Sequence, residues 1–181
     1  MNTVIVPASP EDMDAILILF EKAIRYQQAN GYIGWPNMDR QFIEADVNKG
    51  LLYKVLSEDK LLGIFCVCYT DQLIWRDKEN GDAVYLHRIV LNREFAGFKV
   101  FKIVFDWALA HARKAGLRYV RMDTWAENAK LIDYYKGYGF RFVENYKTEN
   151  TTELPVHHRN LNVALLEFKI PDAPDQAKAP A

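Results

Sequence analysis

The chain has 181 residues, of which 50% are hydrophobic, and a formal net charge of −1. That is apolar matter for one ordinary core, so residues 1–170 are expected to form one domain. No Lys/Arg run is dense enough for a nucleic-acid or membrane footprint, no apolar stretch approaches spanning length, and no charged leader precedes an apolar segment at the N-terminus. These features exclude a nucleic-acid binder and a membrane protein, and point to a cytoplasmic monomer or homodimer.

Thr3 to Val6 is a short strand. Ser9-Pro10-Glu11-Asp12 then opens a helix, with Ser as N-cap, Pro at the first helical position and acid in the first turn. Met13, Ile16, Leu17, Phe20 and Ile24 follow at helical spacing, and Asn30-Gly31 stops the helix. The aromatic loop 32–36 leads to a second helix over Arg40 to Asn48. Leu51 to Leu56 and Leu61 to Tyr69 form a hairpin around Ser57 to Lys60, with Cys66 and Cys68 on one strand face as free thiols. Residues 71–82 read as a polar loop holding Trp75. Ala83 to Leu91 is a strand, Phe98 to Ala115 a largely buried helix, and Tyr119 to Trp125 a strand. Asn128 to Tyr138 is a helix, and Arg141 to Tyr146 and Asn162 to Ile170 are the last strands. The Pro/Ala-rich end, 171–181, has no apolar face and is expected to be disordered. The order predicts an α+β (mixed α/β) domain, with a mixed, mostly antiparallel sheet flanked by helices.

Asn128 to Phe140 reads Asn-Ala-Lys-Leu-Ile-Asp-Tyr-Tyr-Lys-Gly-Tyr-Gly-Phe. An Asn opens the helix, Tyr135 follows seven residues later, and Gly139-Phe140 leads into a strand. The stretch resembles the carboxy-terminal half of the GNAT acyltransferases. The element order matches that fold over residues 3 to 170. The resemblance implies acetyl-coenzyme A (acetyl-CoA) as co-substrate and Tyr135 as the acid that protonates the leaving thiolate. A phenol of pKa near ~10 facing a thiol of ~8.5 suits that role.

Upstream, the family's phosphate loop is aligned here on one glycine. Leu91 and Arg93 take the positions before it, and Ala96-Gly97-Phe98-Lys99-Val100-Phe101 the loop itself. By resemblance, Gly97, Phe98, Lys99, Val100 and Phe101 would cradle the pyrophosphate with backbone amides at a helix start. Lys99 and Phe101 stand where the family has small residues, which would narrow or shift that approach. Arg93, Lys99 and Lys102 would supply positive charge. Ile89 and Leu91 would offer backbone groups to the pantetheine arm where two parallel strands splay, and Asn128 completes the cofactor-side residues.

His87 is the candidate general base, since its pKa near ~6.5 suits amine deprotonation, with Asp123 and Glu127 behind it. Tyr32, Trp35 and Trp125 are candidates for gripping the acceptor. Tyr134 and Tyr138 read as packing, His157-His158 as loop residues, and no metal site is expected. Two functions remain open. One is an acetyl-CoA-dependent N-acetyltransferase for a primary amine of a small or amino-acid-like molecule. The other is a GNAT-shaped binding or regulatory module whose altered loop no longer takes CoA.

Overall fold

A computed structural model describes residues 2–32 and 34–171. The expected disordered end therefore lies, from residue 172 onward, outside the described residues. Seven strands form a single sheet in the order β1-β2-β3-β4-β5-β7-β6. They are β1 (Thr3–Pro7), β2 (Leu52–Ser57), β3 (Lys60–Cys68), β4 (Ala83–Leu91), β5 (Tyr119–Trp125), β6 (Arg141–Lys147) and β7 (Asn162–Lys169). The helices are α1 (Met13–Ala29), α2 (Arg40–Asn48), α3 (Gln72–Trp75), α4 (Val100–Lys114) and α5 (Ala129–Lys136).

The approach to α1 follows from local chemistry. Pro10 opens a short 3-10 turn, and the Asp12 carboxylate accepts from the Ser9 amide at 2.8 Å and the Ser9 hydroxyl at 3.0 Å. The helix then buries Met13, Ile16, Leu19 and Phe20. Residues 71–82 are more ordered than a polar loop. Four of them form α3, and Trp75 is fully buried against Tyr85 with Arg121 over its ring. Val163 and Leu165 on β7 help to form that apolar seat, so tertiary packing outweighs the polarity of the neighbouring residues.

Each sheet face carries its own core. Val84, Leu86, Val120 and Met122 point to α4 and α5. On the opposite face, α1 and α2 cover Leu52, Ile64, Cys66 and Val90. Trp75, Tyr85, Leu154, Val163 and Leu165 make a separate cluster on that same face. Cys66 and Cys68 are free, and burial pushes the Cys66 thiol up to about 12. Among the described residues, no helix is long and apolar enough to cross a membrane.

The parallel pair at the centre is short. β4 and β5 pair only from Ala83 to Leu86 against Tyr119 to Met122, and beyond that the strands are unpaired with each other. The cause lies in β4. Between Ile64↔Val90 and Cys66↔His87 its register against β3 slips by one residue, and Arg88 takes a left-handed φ of 48°. Such an inserted residue bends the bulged strand and increases its local twist. Asp46 on α2 holds the Arg88 guanidinium at 2.6 Å, both side chains being almost wholly buried.

Candidate active site

The gap between the diverging strands opens into a cavity of about 700 Å³. Its walls include His87, Ile89 and Leu91 from β4, Asp123 and Trp125 from β5, Asn128, Tyr134 and Tyr135 at α5, and Tyr32 and Trp35 from the loop after α1. Phe101 joins them, so the candidate base, the candidate acid, the pantetheine strand and the aromatic grip share one enclosure. Glu127 is not on this wall. Its carboxylate accepts from Asn162 Nδ2 at 2.9 Å. Tyr134, expected to pack, is 42% exposed and lines the cavity. His158 also lines it, from a 3-10 turn at Val156–His158 before β7.

His87 lies between two carboxylates. Its Nε2 is 3.3 Å from Asp71 Oδ2, and its Nδ1 is 3.5 Å from Asp123 Oδ1. Asp71 sits just before α3 and has no sequence mark of its role, since only the fold of the β3–β4 connection brings it to His87. Its Oδ2 is buried and has no hydrogen-bond partner among the described residues. Burial raises the Asp123 carboxyl above its ordinary value, partly offset by His87. A neutral imidazole donates from one nitrogen only, so filling both contacts takes one more proton, on the ring or on a carboxyl. The cluster is therefore built to hold a proton taken up from elsewhere. Asp71, His87 and Asp123 are also the described residues whose potential metal-ligating atoms lie within 4.8 Å of one another. Each ring nitrogen faces a different carboxylate at ion-pair distance rather than in a formed hydrogen bond.

Tyr135 approaches from the α5 side of the sheet. Its ring packs 4.9 Å from Phe101, and no described residue hydrogen-bonds its hydroxyl. Burial, reinforced by the charge of Asp123, raises the phenol above its ordinary value, so at neutral pH the hydroxyl keeps its proton and gives it to a thiolate less readily than a free phenol does. Phe101 does not obstruct the helix start as its size suggested. It is 1% exposed, and its ring sits among Tyr134, Tyr135 and Tyr138 at 4.8 to 5.7 Å, buttressing Tyr135 from below. Val100 is likewise turned into the core.

The remaining loop residues, Gly97, Phe98 and Lys99, lie outside the cavity wall, as does Val100. Gly97 has φ 104°, which favours glycine, and Lys99 is left-handed at φ 49°, ψ 43° as the residue preceding α4. Among the described residues, the amides of Lys99, Val100 and Phe101 have no backbone acceptor. Unsatisfied amides at a helix start suit an anion. The expected cationic support is partly committed elsewhere, since Arg93 stacks over Tyr26 at 3.4 Å and Lys102 pairs with Asp106 at 2.6 Å. Asn128 caps α5 by accepting from the Leu131 amide at 3.1 Å.

The model of the acetyltransferase (GNAT) family matches residues 18–140, more than half of the chain. The chain belongs to the GNAT family. A curated relative, the uncharacterized N-acetyltransferase YesJ of Bacillus subtilis (strain 168), is 23% identical over 145 residues, covering 76% of this chain and 81% of its own. Among solved structures, a GNAT acetyltransferase from Listeria monocytogenes 4b F2365 superposes with a TM-score of 0.73 at 22% identity, over 92% of this chain and 94% of that one. The putative acetyltransferase yncA from Salmonella typhimurium, solved with its cofactor acetyl-CoA, gives 0.64 at 15% identity, over 98% and 100%. The GNAT fold expected from the element order is thus the fold observed, and family membership marks the chain as an acetyltransferase.

Proposed function

We propose that this GNAT protein transfers the acetyl group of acetyl-CoA to the primary amine of a small molecule, with His87 as base and Tyr135 as acid. The observation that carries the reading is that a proton-accepting cluster and a buried, protonated phenol line one cavity where two parallel strands part. Acetyl-CoA supplies the acetyl group as a thioester and departs as a thiol.

The unpaired edges of Ile89 to Leu91 and Asp123 to Trp125 suit an extended arm that pairs like an added strand. The free amides from Lys99 to Phe101 suit a pyrophosphate, and nothing lies within 4 Å of where a Gly97 Cβ would stand. The yncA neighbour's acetyl-CoA, bound on the same fold, supports the same co-substrate here.

Asp71 holds one side of His87, leaving Nδ1 toward the cavity beside Asp123. When Nδ1 takes the proton of the acceptor amine, the new N–H donates to Asp123. The amine nitrogen then bonds to the acetyl carbon as the carbon–sulfur bond breaks, the Tyr135 hydroxyl gives its proton to the sulfur, and the second proton on the new amide nitrogen returns to the Tyr135 phenolate. An aspartate on each side stabilises the imidazolium that results.

Thermal shift with CoA and acetyl-CoA, together with thiol release in the presence of amines, tests the reading. A ligand that binds only the folded chain raises the melting temperature. No shift at millimolar CoA and no thiol release would leave the non-catalytic module as the better account.

A further inference from the structure

The acceptor end of the cavity has a specific chemistry, and on the transferase reading above it narrows the substrate. We infer that the acceptor is a primary amine carrying a flat apolar body and no carboxylate on the amine-bearing carbon.

Asp123 and Trp125 are alternate residues of β5, so their side chains leave the same sheet face about 7 Å apart. An ammonium seated at Asp123 and His87 therefore has its carbon body against the Trp125 ring. That ring is not alone. Trp35 meets it edge-on at 5.6 Å, and Phe20 backs Trp35 at 5.6 Å on the far side. Tyr32 and Tyr26, themselves 6.1 Å apart, continue the wall. Stacked and edge-on aromatic surfaces select flat apolar groups, and a cation next to them gains further.

Charge at the nitrogen end sets the second condition. Asp71 and Asp123 flank a single imidazole, so even with His87 protonated the cluster carries more potential negative than positive charge. A carboxylate on the amine-bearing carbon would be brought beside them. Three of the four Lys and Arg side chains on the wall are engaged. Arg88 is held by Asp46 at 2.6 Å, Arg93 lies over Tyr26, and Arg159 donates to the Leu154 and Thr152 carbonyls at 2.8 and 3.5 Å. Lys130 is also on the wall and is exposed, one residue from the start of α5. An amino acid is thus disfavoured at the carbon nearest the chemistry, while an amine with the same ring is accepted.

Three amines separate these conditions on the intact protein: 2-phenylethylamine, phenylalanine and ethanolamine. Binding is read by calorimetry and by quenching of tryptophan fluorescence in the presence of CoA, and transfer is read by thiol release with acetyl-CoA. Like charges brought together and an aromatic seat left empty both weaken binding, so 2-phenylethylamine should bind about tenfold or more tighter than either competitor. A margin below about fivefold against phenylalanine overturns the charge condition, and the same margin against ethanolamine overturns the aromatic one. No binding of 2-phenylethylamine at millimolar concentration overturns both. Binding without thiol release would count against the transferase reading alone and leave the ligand class standing. Equal transfer to all three would do the reverse.

Discussion

Replacing Tyr135 by Phe separates packing from chemistry. The substitution keeps the ring that lies 4.9 Å from Phe101 and 6.3 Å from Phe140, and removes a hydroxyl that no described residue hydrogen-bonds. Stability should therefore change by less than about 0.5 kcal/mol, since no buried partner is orphaned. A positioned proton donor contributes roughly 10²–10⁴ in rate, or about 2.7–5.4 kcal/mol of barrier. The expected outcome is a fall of that size in kcat with acetyl-CoA affinity almost unchanged, read by initial-rate thiol release and by calorimetry. Tyr134→Phe is the control. Tyr134 is 42% exposed, and its hydroxyl pairs with Tyr138 at 3.3 Å on the neighbouring face of the helix. Equal losses in the two variants, or full activity in Tyr135→Phe, would refute Tyr135 as the leaving-group acid.

Three further outcomes concern the frame around the site. Asp46→Ala strands the buried Arg88 guanidinium at the β4 bulge and should cost about 3–5 kcal/mol in urea denaturation; a loss under about 1 kcal/mol would mean the ion pair does not hold the bulge. Lys99→Gly relieves a left-handed φ of 49°, worth roughly 1–2 kcal/mol, against the ~0.5–1 kcal/mol that glycine loses in chain entropy, so the variant should be as stable as the parent or up to about 1.5 kcal/mol more so. Clear destabilisation would show that the Lys99 side chain makes a stabilising contact there. For Asp12, burial opposes ionisation, but Lys54 at 2.7 Å and the Ser9 amide outweigh it and hold the carboxyl below 3.8. A depressed carboxyl contributes stability that is present above 3.8 and lost as pH falls through its folded value. Asp12→Asn should therefore flatten the acid limb of a plot of Tm against pH, and an unchanged limb would show that other groups set it.

What the chain discloses by itself is local. The segment from Asn128 to Phe140 holds its helix cap, its tyrosine and its exit within one short stretch, so its role is readable without a distant partner. The strands of the sheet are likewise marked by runs of apolar residues between turn residues. Contacts set by register are not legible. Asp71 meets His87 only because β3 and β4 pair as they do, and no glycine or proline announces the slip at Arg88. Phe101 reads as an obstruction because its direction depends on Tyr134, Tyr135 and Tyr138, residues far along the chain. Trp75 stands in a polar stretch, and residues of β4, β5 and β7 packed around it make it core.

The early end of the β4–β5 ladder has a mechanical consequence. Four residue pairs join β1–β4 to β5–β7, so the sheet is two panels sewn along a short seam. A molecule lying in the slit and bonding to both lips would extend the stitching. Those amide hydrogens of Ile89 to Leu91 and Asp123 to Trp125 that face the slit should then exchange with solvent freely in the empty protein and slowly once the slit is filled. The gain in stability would be concentrated along that line, while the outer strands β1 and β6 keep their exchange rates. The occupant would thus act as an eighth strand, supplied from outside the chain.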